Sequence, residues 1–406
     1  MLFIATSANA EHGRGGRRRV VDVANQVRLN GFTPTLLCFL PFEQVLRGPR
    51  FWKAGSASLS EEANCPVRYA PMLPLTRFWL MERLNLLWCG LVCWWIASRF
   101  GCRLLYGHGT RAAGIGLAAK KLRKSLRVIV DVHGVASAEY AFAKAASPED
   151  RKFRHIQQDE QGVLSRADQI IFVSERMRGY FEAEMHRDFG LARVIPCAVD
   201  VAILSDTEKR GTKRERMGLS DRLVIAYVGS TVAYQQPRQM ANLFSQIRKK
   251  LPQAFFLGIT KSTQTFRDLL SELGVPEQDY LLTSLPHEQV MEMLQMGDVG
   301  LLLRGDSLLN QVSSPTKFGE YLLAGLPVLL TEHTGDYAAV AKRENLGYLV
   351  DLGNEQVDQA LLEFLNNIQM HREDYHARCR NYAQANLSWG HYGKVLAALL
   401  EETINE

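Results

Sequence analysis

The chain is predicted to fold as two α/β domains of the Rossmann-like kind, each a parallel sheet covered by helices. Three observations predict this. Short apolar runs alternate with segments of helical period, the pattern of parallel strands joined by crossover helices. A charged stretch, residues 200–221, separates two such alternating runs of similar size. The 406 residues are also enough for two cores rather than one.

Taken in order, residues 2–6 read as a strand. Residues 20–30 read as a helix, with Val20, Val23, Ala24 and Val27 at helical spacing and Gly31 closing it. Residues 33–39 return as a strand. Leu104-Leu105-Tyr106 enters His108-Gly109-Thr110 and a helix rich in Ala and Gly that runs to Leu122. Residues 127–131 form a buried strand leading into Val132-His133-Gly134. A polar helix over 152–165 and strands at 169–174 and 194–196 complete the first half. In the second half, strands are expected at 223–230, 255–259, 280–282, 299–303 and 328–330, with helices between them. Residues 375–401 read as helical. The expected domains are 1–205 and 206–385, with 386–406 a terminal helix packing back on the first. The stretch 200–221, with Lys209, Arg210, Lys213, Arg214 and Arg216, reads as a solvated linker.

Composition narrows the class. Hydrophobic content of 47% and charged content of 22% belong to globular chains. A net charge of +5 suits an anionic partner such as a nucleotide or an acidic membrane face. The seven cysteines (Cys38, Cys65, Cys89, Cys93, Cys102, Cys197, Cys379) include no CxxC pair. That spacing points away from zinc and disulfide frameworks and toward a reducing cytoplasm. The N-terminus lacks a basic n-region and reads as a first strand, not a signal peptide. Residues 84–97 are apolar, rich in Trp and flanked by Arg77, Arg83, Arg99 and Arg103. At about 14 residues this run is short of the about 20 that cross a bilayer. It reads first as a buried helix, and second as an interfacial membrane contact through Trp and Arg.

The stretch richest in chemistry is 313–328, Ser-Ser-Pro-Thr-Lys-Phe-Gly-Glu-Tyr-Leu-Leu-Ala-Gly-Leu-Pro-Val. Ser314 is placed to cap a helix and Pro315 suits its first position. The free N–H groups and dipole of that terminus hold a phosphate, and Lys317 adds a cation in the first turn. Glu320, about one turn further in, puts a carboxylate where it could grip a ribose diol. Gly325 ends the helix and Val328-Leu329-Leu330 begins a strand. The local spacing alone also fits an ordinary αβ unit.

The whole run resembles the nucleotide-sugar signature of GT-B glycosyltransferases of the large retaining family four. It is similar to the Ser-Pro-x-Lys-x-x-Glu-Tyr variant found among polysaccharide-assembly enzymes. Many members of the family carry a second Glu eight positions before the ribose Glu; here that position is Val312. The resemblance covers most of the chain by order of elements, and residues 225–330 by motif. It implies a GT-B fold, two Rossmann-like domains facing each other across a cleft whose closure excludes water. It also implies that Gly15 and Gly16, in a Gly- and Arg-rich loop over 11–19, face the donor diphosphate or the acceptor. That loop has neither GxGxxG nor Walker A spacing. His133 would touch the donor sugar, and His108, a weaker candidate, would line the acceptor cleft. Gly229-Ser230 followed by Tyr234-Gln235-Gln236 resembles the Gly-Ser-x-x-x-aromatic-Gln form of the same enzymes, which lacks the family's usual Lys. The diphosphate then needs its cation elsewhere. Arg304, directly after a strand, is the natural choice, with Lys317 as partner, both stabilising the charge on the departing diphosphate. A surface pair between Arg304 and Asp306 is the other reading. Asn310 is expected to orient the donor, alongside Ser314, Pro315 and Thr316. Residues 286–289, opening a helix, would lie near the base.

The function so implied is transfer of a sugar from a nucleotide-diphosphate donor to a glycan or lipid-linked glycan. Transfer is expected with retention and without a metal, in bacterial surface polysaccharide biosynthesis (capsule, exopolysaccharide or lipopolysaccharide) at the inner face of the cytoplasmic membrane. The sequence has no Asp-x-Asp at a strand end and no His/Cys cluster of ligand spacing, and no cofactor beyond the donor is implied. It has no Gly-x-Ser-x-Gly, and its basic residues do not interleave with aromatics as in nucleic-acid modules. Two alternatives remain: an inverting transferase with Asp131, Glu139 or His133 as base, and a sugar-nucleotide-binding scaffold with a degenerate site, motivated by Val312.

Overall fold

The computed structural model describes residues 1–6, 15–46, 57–73, 79–204, 210–353 and 357–405. It divides into two compact units, Met1–Pro196 with Tyr392–Glu406, and Cys197–His391.

The first unit is built on a seven-stranded sheet: β1 Leu2–Thr6, β2 Thr35–Leu40, β3 Val67–Pro71, β4 Leu104–His108, β5 Arg127–Val132, β6 Gln169–Phe172 and β7 Arg193–Val194. Their spatial order is β3-β2-β1-β4-β5-β6-β7 and every pairing is parallel. β1 and β4 are buried along their whole length, which is why they read as unbroken apolar runs. The chain order reverses between β1 and β4, so the loops after these strands flank the switch point where such sheets bind ligands.

The helix after β3, Trp79–Arg99, takes up the apolar run, but not as the buried helix expected. Apart from Ile96, its buried positions carry small or short side chains, Asn85, Cys89, Cys93 and Ala97, while Leu84, Leu86, Leu87, Trp88, Leu91 and Trp95 are exposed. The cause is its neighbour, the helix Thr110–Leu122: a Cβ at Gly90 would sit 2.6 Å from that of Ala118, so the two backbones meet too closely for large residues between them.

The second unit holds six parallel strands: β8 Leu223–Val228, β9 Ala254–Ile259, β10 Tyr280–Thr283, β11 Val299–Leu302, β12 Val328–Leu330 and β13 Gly347–Leu349. Their order is β10-β9-β8-β11-β12-β13, with the reversal between β8 and β11. Alternation along β8 sends Leu223, Ile225 and Tyr227 into one core with Phe244, Phe256 and Phe266, and Val224 and Ala226 into the other with Phe318, Tyr321 and Leu322.

The reading of 200–221 as a solvated linker is corrected over its described part. Residues 210–216 form a helix in which Lys213 and Arg214 are buried. Asp298, wholly buried, is paired by Arg210 at 2.7 Å, Arg214 at 3.2 Å and Arg372 at 2.6 Å, and accepts from the Val224 N–H at 2.8 Å. Arg214 also donates to the carbonyls of Met296, Leu219 and Arg222. The arginines therefore satisfy one buried carboxylate and several loop carbonyls, which keeps a buried charge affordable.

Candidate active site

In the second unit the sequence-predicted residues converge on the switch point. β8 ends at Val228 and is followed by Gly229-Ser230; β11 ends at Leu302 and leads to Arg304; the helix Thr316–Ala324 begins on the same side and returns to β12. Tyr321, inside that helix, ties the two strands together. Its hydroxyl accepts from the Val228 N–H at 3.0 Å and donates to the Leu301 carbonyl at 3.0 Å. Its ring lies where a Cβ of Gly300 would be, at 2.5 Å, so glycine is required there.

Lys317 donates to Gln235 Oε1 at 2.7 Å and to the Tyr227 hydroxyl at 3.3 Å. Its ammonium stands 4.6 Å from the centre of the Tyr227 ring. Gly229 has φ +137°, and a Cβ there would run into that ammonium. Desolvation, and then the like charge of Arg304, pull the Lys317 pKa well below that of a free lysine, with Glu320 opposing.

Arg304 is buried, with its guanidinium 5.0 Å from the centre of the Tyr234 ring. Its Nε has no hydrogen-bond partner. Its backbone is clamped by Thr331, whose Oγ1 accepts from the Arg304 N–H and donates to the Arg304 carbonyl, each at 2.8 Å. Desolvation lowers its pKa and neighbouring tyrosines oppose that. The alternative bridge to Asp306 is absent: Asp306 accepts from Gln311 at 2.6 Å and faces His333 at 3.5 Å. Among the described residues, neither Lys317 nor Arg304 forms an ion pair with a carboxylate. Two desolvated cations at one site, with no carboxylate within ion-pair distance among the described residues, make a place where an anion would be stabilised.

Other candidates hold the frame. Ser314 does not cap the helix, which is a correction. Its hydroxyl accepts from the Cys197 N–H at 2.9 Å and shares a hydrogen bond with the Tyr337 hydroxyl at 2.9 Å. Pro315 takes the N-cap position and Thr316 the first helical one, with no side chain capping the terminus. The first-turn N–H groups are thus not taken by a side-chain cap. Asn310 donates from Nδ2 to the Gly305 carbonyl at 2.8 Å, shaping the loop after Arg304. Val312, at the position of the second Glu of many family-four members, is buried. Glu320 is partly exposed in the helix.

In the first unit, Gly15 and Gly16 open the helix Gly15–Leu29 rather than lying in a loop; residues 11–14 of the expected loop lie outside the described residues. Arg19 reaches from that helix to Asp131, with Nη2 at 2.7 Å and Nε at 2.9 Å, and also donates to the carbonyls of Ile195 and Pro196. Burial alone would raise the Asp131 pKa, but Arg19 and His108 hold it far below the usual carboxylate range. The Asp131 carboxylate is thus taken up by the buried pair with Arg19. His108 does not line a cleft: it is buried, stacked on Phe3 at 5.5 Å, with Nδ1 3.6 Å from Asp131. Glu139 lies over Gly134, where a Cβ would meet its carboxylate.

His133, just past β5, keeps a buried Nε2 with no hydrogen-bond partner. Burial lowers its pKa to about 4, against the pull of Asp131. It is therefore a neutral imidazole at physiological pH.

Three supports of this site carry no functional mark in the sequence. Tyr227 falls inside the expected strand 223–230, Tyr321 inside the Glu-Tyr of the motif, and Thr331 just past the expected strand 328–330. The alternation along β8 puts Tyr227 inward, but no local signal marks Thr331, whose partner is 27 positions away.

Residues 13–203 match the family model described as Glycosyltransferase Family 4, and residues 209–386 that described as Glycosyl transferases group 1. A D-inositol 3-phosphate glycosyltransferase of Corynebacterium efficiens is 22% identical over 259 residues, 61% of this chain and 59% of that protein. A GDP-mannose-dependent alpha-(1-6)-phosphatidylinositol monomannoside mannosyltransferase of Mycolicibacterium smegmatis is 25% identical over 135 residues, 33% of this chain and 35% of that protein. The alignments thus span between about a third and three-fifths of these curated relatives. Among solved structures, Anabaena HepE in complex with UDP-glucose superposes with a TM-score of 0.71 at 15% identity, covering 99% of this chain and 100% of that one. WaaG, a glycosyltransferase involved in lipopolysaccharide biosynthesis, gives 0.67 at 14%, covering 98% and 99%. The shared fold is GT-B, with one Rossmann-like domain in each unit.

Proposed function

This chain belongs to the glycosyltransferases, with a Family 4 domain and a group 1 domain, and we propose that it moves a sugar from a nucleoside-diphosphate donor to a glycan or lipid-linked glycan. The observation that carries this reading is the pair Lys317 and Arg304, two desolvated cations without carboxylate partners at the β8/β11 switch point. A diphosphate supplies the missing negative charge there. Charge that grows on the leaving nucleoside diphosphate is stabilised most by cations already fixed in place, and Gln235, Tyr227 and Tyr234 fix these two.

In this reading the first-turn N–H groups near Thr316 receive a phosphate oxygen, and Glu320 accepts from a ribose hydroxyl. Gly229 and Ser230 line the approach of the diphosphate, while Ser314, Pro315 and Asn310 shape the surrounding loops. Gly15 and Gly16, opening their helix, are assigned to a phosphate or the acceptor. His133, neutral and with Nε2 unpartnered, contributes one hydrogen bond to a sugar hydroxyl. Transfer with retention fits a site whose cations hold the departing phosphate, since that phosphate can take the acceptor proton. Two fixed cations also serve where a divalent metal would otherwise neutralise the diphosphate, so metal independence belongs to the proposal.

The named ligands of similar proteins support a donor of this class. HepE is described with UDP and with UDP-glucose, and one curated relative is named GDP-mannose-dependent. WaaG's named role in lipopolysaccharide biosynthesis favours a surface polysaccharide as the product. The test is a panel of UDP- and GDP-sugars incubated with the protein and a lipid-linked glycan, with and without chelator. The proposal expects transfer from one of them that survives chelation. Hydrolysis or transfer from none removes the enzymatic reading, and loss of all transfer in chelator removes metal independence.

A further inference from the structure

The second unit holds a cavity of about 420 Å³, bounded by the helix Pro237–Lys250 on one side and by the end of β13 and the start of the helix Gln359–Met370 on the other. Its size is that of a small-ligand site, for which roughly 300–1,000 Å³ is usual. It shares no residue with the donor site, and β11 and β12 lie between β8 and β13 in the sheet.

One wall is a ladder of amides. Gln239, Asn242 and Gln246 follow one another at spacings of three and four along the helix Pro237–Lys250 and so share one face of it. All three are half-buried, and among the described residues none of their side chains has a hydrogen-bond partner. Each tip carries both donors and an acceptor. Leu243 from the same helix, with Val350 and Leu361, gives the cavity a buried apolar base.

The facing wall carries Tyr348, Asp351 and Asp358. Asp358 accepts from the Leu361 N–H at 2.7 Å and from the Tyr348 hydroxyl at 3.0 Å. The Tyr348 ring also packs against Phe364, with ring centres 5.6 Å apart. Asp351 accepts from the Gly353 N–H at 2.8 Å. These contacts fix the wall and leave both carboxylates further lone pairs for a hydroxyl donor.

The lining selects the class of ligand. No Lys, Arg or His lines the cavity, so the two carboxylates repel a nucleotide or any other anion. Among the described residues no group of three or more His, Cys, Asp or Glu is placed to hold a metal ion. A wholly apolar ligand would take three amides out of water with nothing to bond them. A neutral molecule rich in hydroxyls, with C–H groups to lie on Leu243 and Val350, meets every one of these conditions.

We propose that this cavity binds a neutral pyranose unit of a glycan, its hydroxyls bonded by Gln239, Asn242, Gln246 and the two aspartates. None of these residues belongs to the donor site, so the two sites stand or fall separately.

The test is saturation-transfer-difference NMR of the full chain with the methyl glycosides of glucose, galactose, mannose and N-acetylglucosamine in turn. At least one is expected to bind wild-type protein, and Lys317→Met is expected to bind it equally well. In the double variant Asn242→Leu, Gln246→Leu the dissociation constant is expected to rise about tenfold, the scale for two hydrogen bonds lost. Its melting curve should be unchanged, because neither amide has a partner in the protein. Should the double variant melt early, Asn242→Ala alone is expected to fold normally and bind several-fold less. Wild-type protein that binds none of the four glycosides overturns the proposal, as does a folded variant that binds like wild type. Binding that is lost in Lys317→Met places the sugar at the donor site and equally overturns it.

Discussion

Lys317 and Gly229 occupy one space: the ammonium of the lysine lies where the glycine would carry a Cβ, and the lysine is held there by Gln235 at 2.7 Å. The absence of a side chain at the end of β8 is thus matched to the cation that the helix after β11 supplies.

Lys317→Met is expected to lower transfer by about 10²-fold or more, the scale for removing one preorganised group from a developing anion. Gln235→Ala leaves the charge but frees its position, and should cost less. Steady-state rates for the two variants check the order. Equal rates in Lys317→Met and wild type would remove the lysine from the site.

Arg304 is held by stacking on Tyr234 and by the Thr331 clamp. Tyr234→Phe keeps the ring and is expected to retain most activity; Tyr234→Ala should lower it toward the level of Arg304→Met. Comparable rates in Tyr234→Phe and Tyr234→Ala would show that the ring does not position the guanidinium.

Glu320→Gln is expected to raise the donor KM by about tenfold while leaving melting unchanged, as loss of one charged hydrogen bond predicts. The readout is the ratio of KM for the nucleotide sugar in variant and wild type. An unchanged KM would contradict the ribose assignment.

His376 is expected to give the second unit a pH-dependent stability. It is buried with Nε2 unpartnered, and burial, followed by the charge of Arg210, lowers its pKa to about 3, with Arg380 and Arg372 adding and Asp298 opposing. Below pH 6.5 the unfolded chain takes up a proton that the folded chain refuses until about pH 3, so stability falls as pH falls across that window. The loss is of the order of 5 kcal/mol at its full extent. His376→Phe should flatten the slope of urea midpoints between pH 7 and pH 4. A slope equal to wild type would show that other groups carry it.

Asp131→Asn leaves the Arg19 guanidinium buried without its counter-charge and is expected to destabilise the first unit by about 3–5 kcal/mol. Denaturant titration followed in the first unit checks this. A loss below 1 kcal/mol would mean that the carbonyls of Ile195 and Pro196 suffice for Arg19.

What the sequence discloses is what is local. The strand-end positions of Gly229, His133 and Arg304, and the helix that starts at Thr316, follow from apolar runs and their punctuation. Partnerships across long separations are invisible in it. Arg19 and Asp131 are 112 positions apart, and Arg214 reaches Asp298 across 84, so a basic stretch that looks solvated is in fact buried. Ser314 is followed by Pro315 and reads as a cap, yet Tyr337, 23 positions on, engages its hydroxyl. The run 84–97 shows its hydrophobicity but not its direction, which depends on packing such as the close approach of Gly90 to Ala118.

Calorimetric titration of UDP and GDP into wild-type protein and Lys317→Met tests the central claim most directly. The account predicts binding of at least one diphosphate to wild type, weakened by about tenfold or more in a variant that melts as wild type does. Equal affinity in the two proteins, or no binding of either nucleotide to wild type, would contradict it.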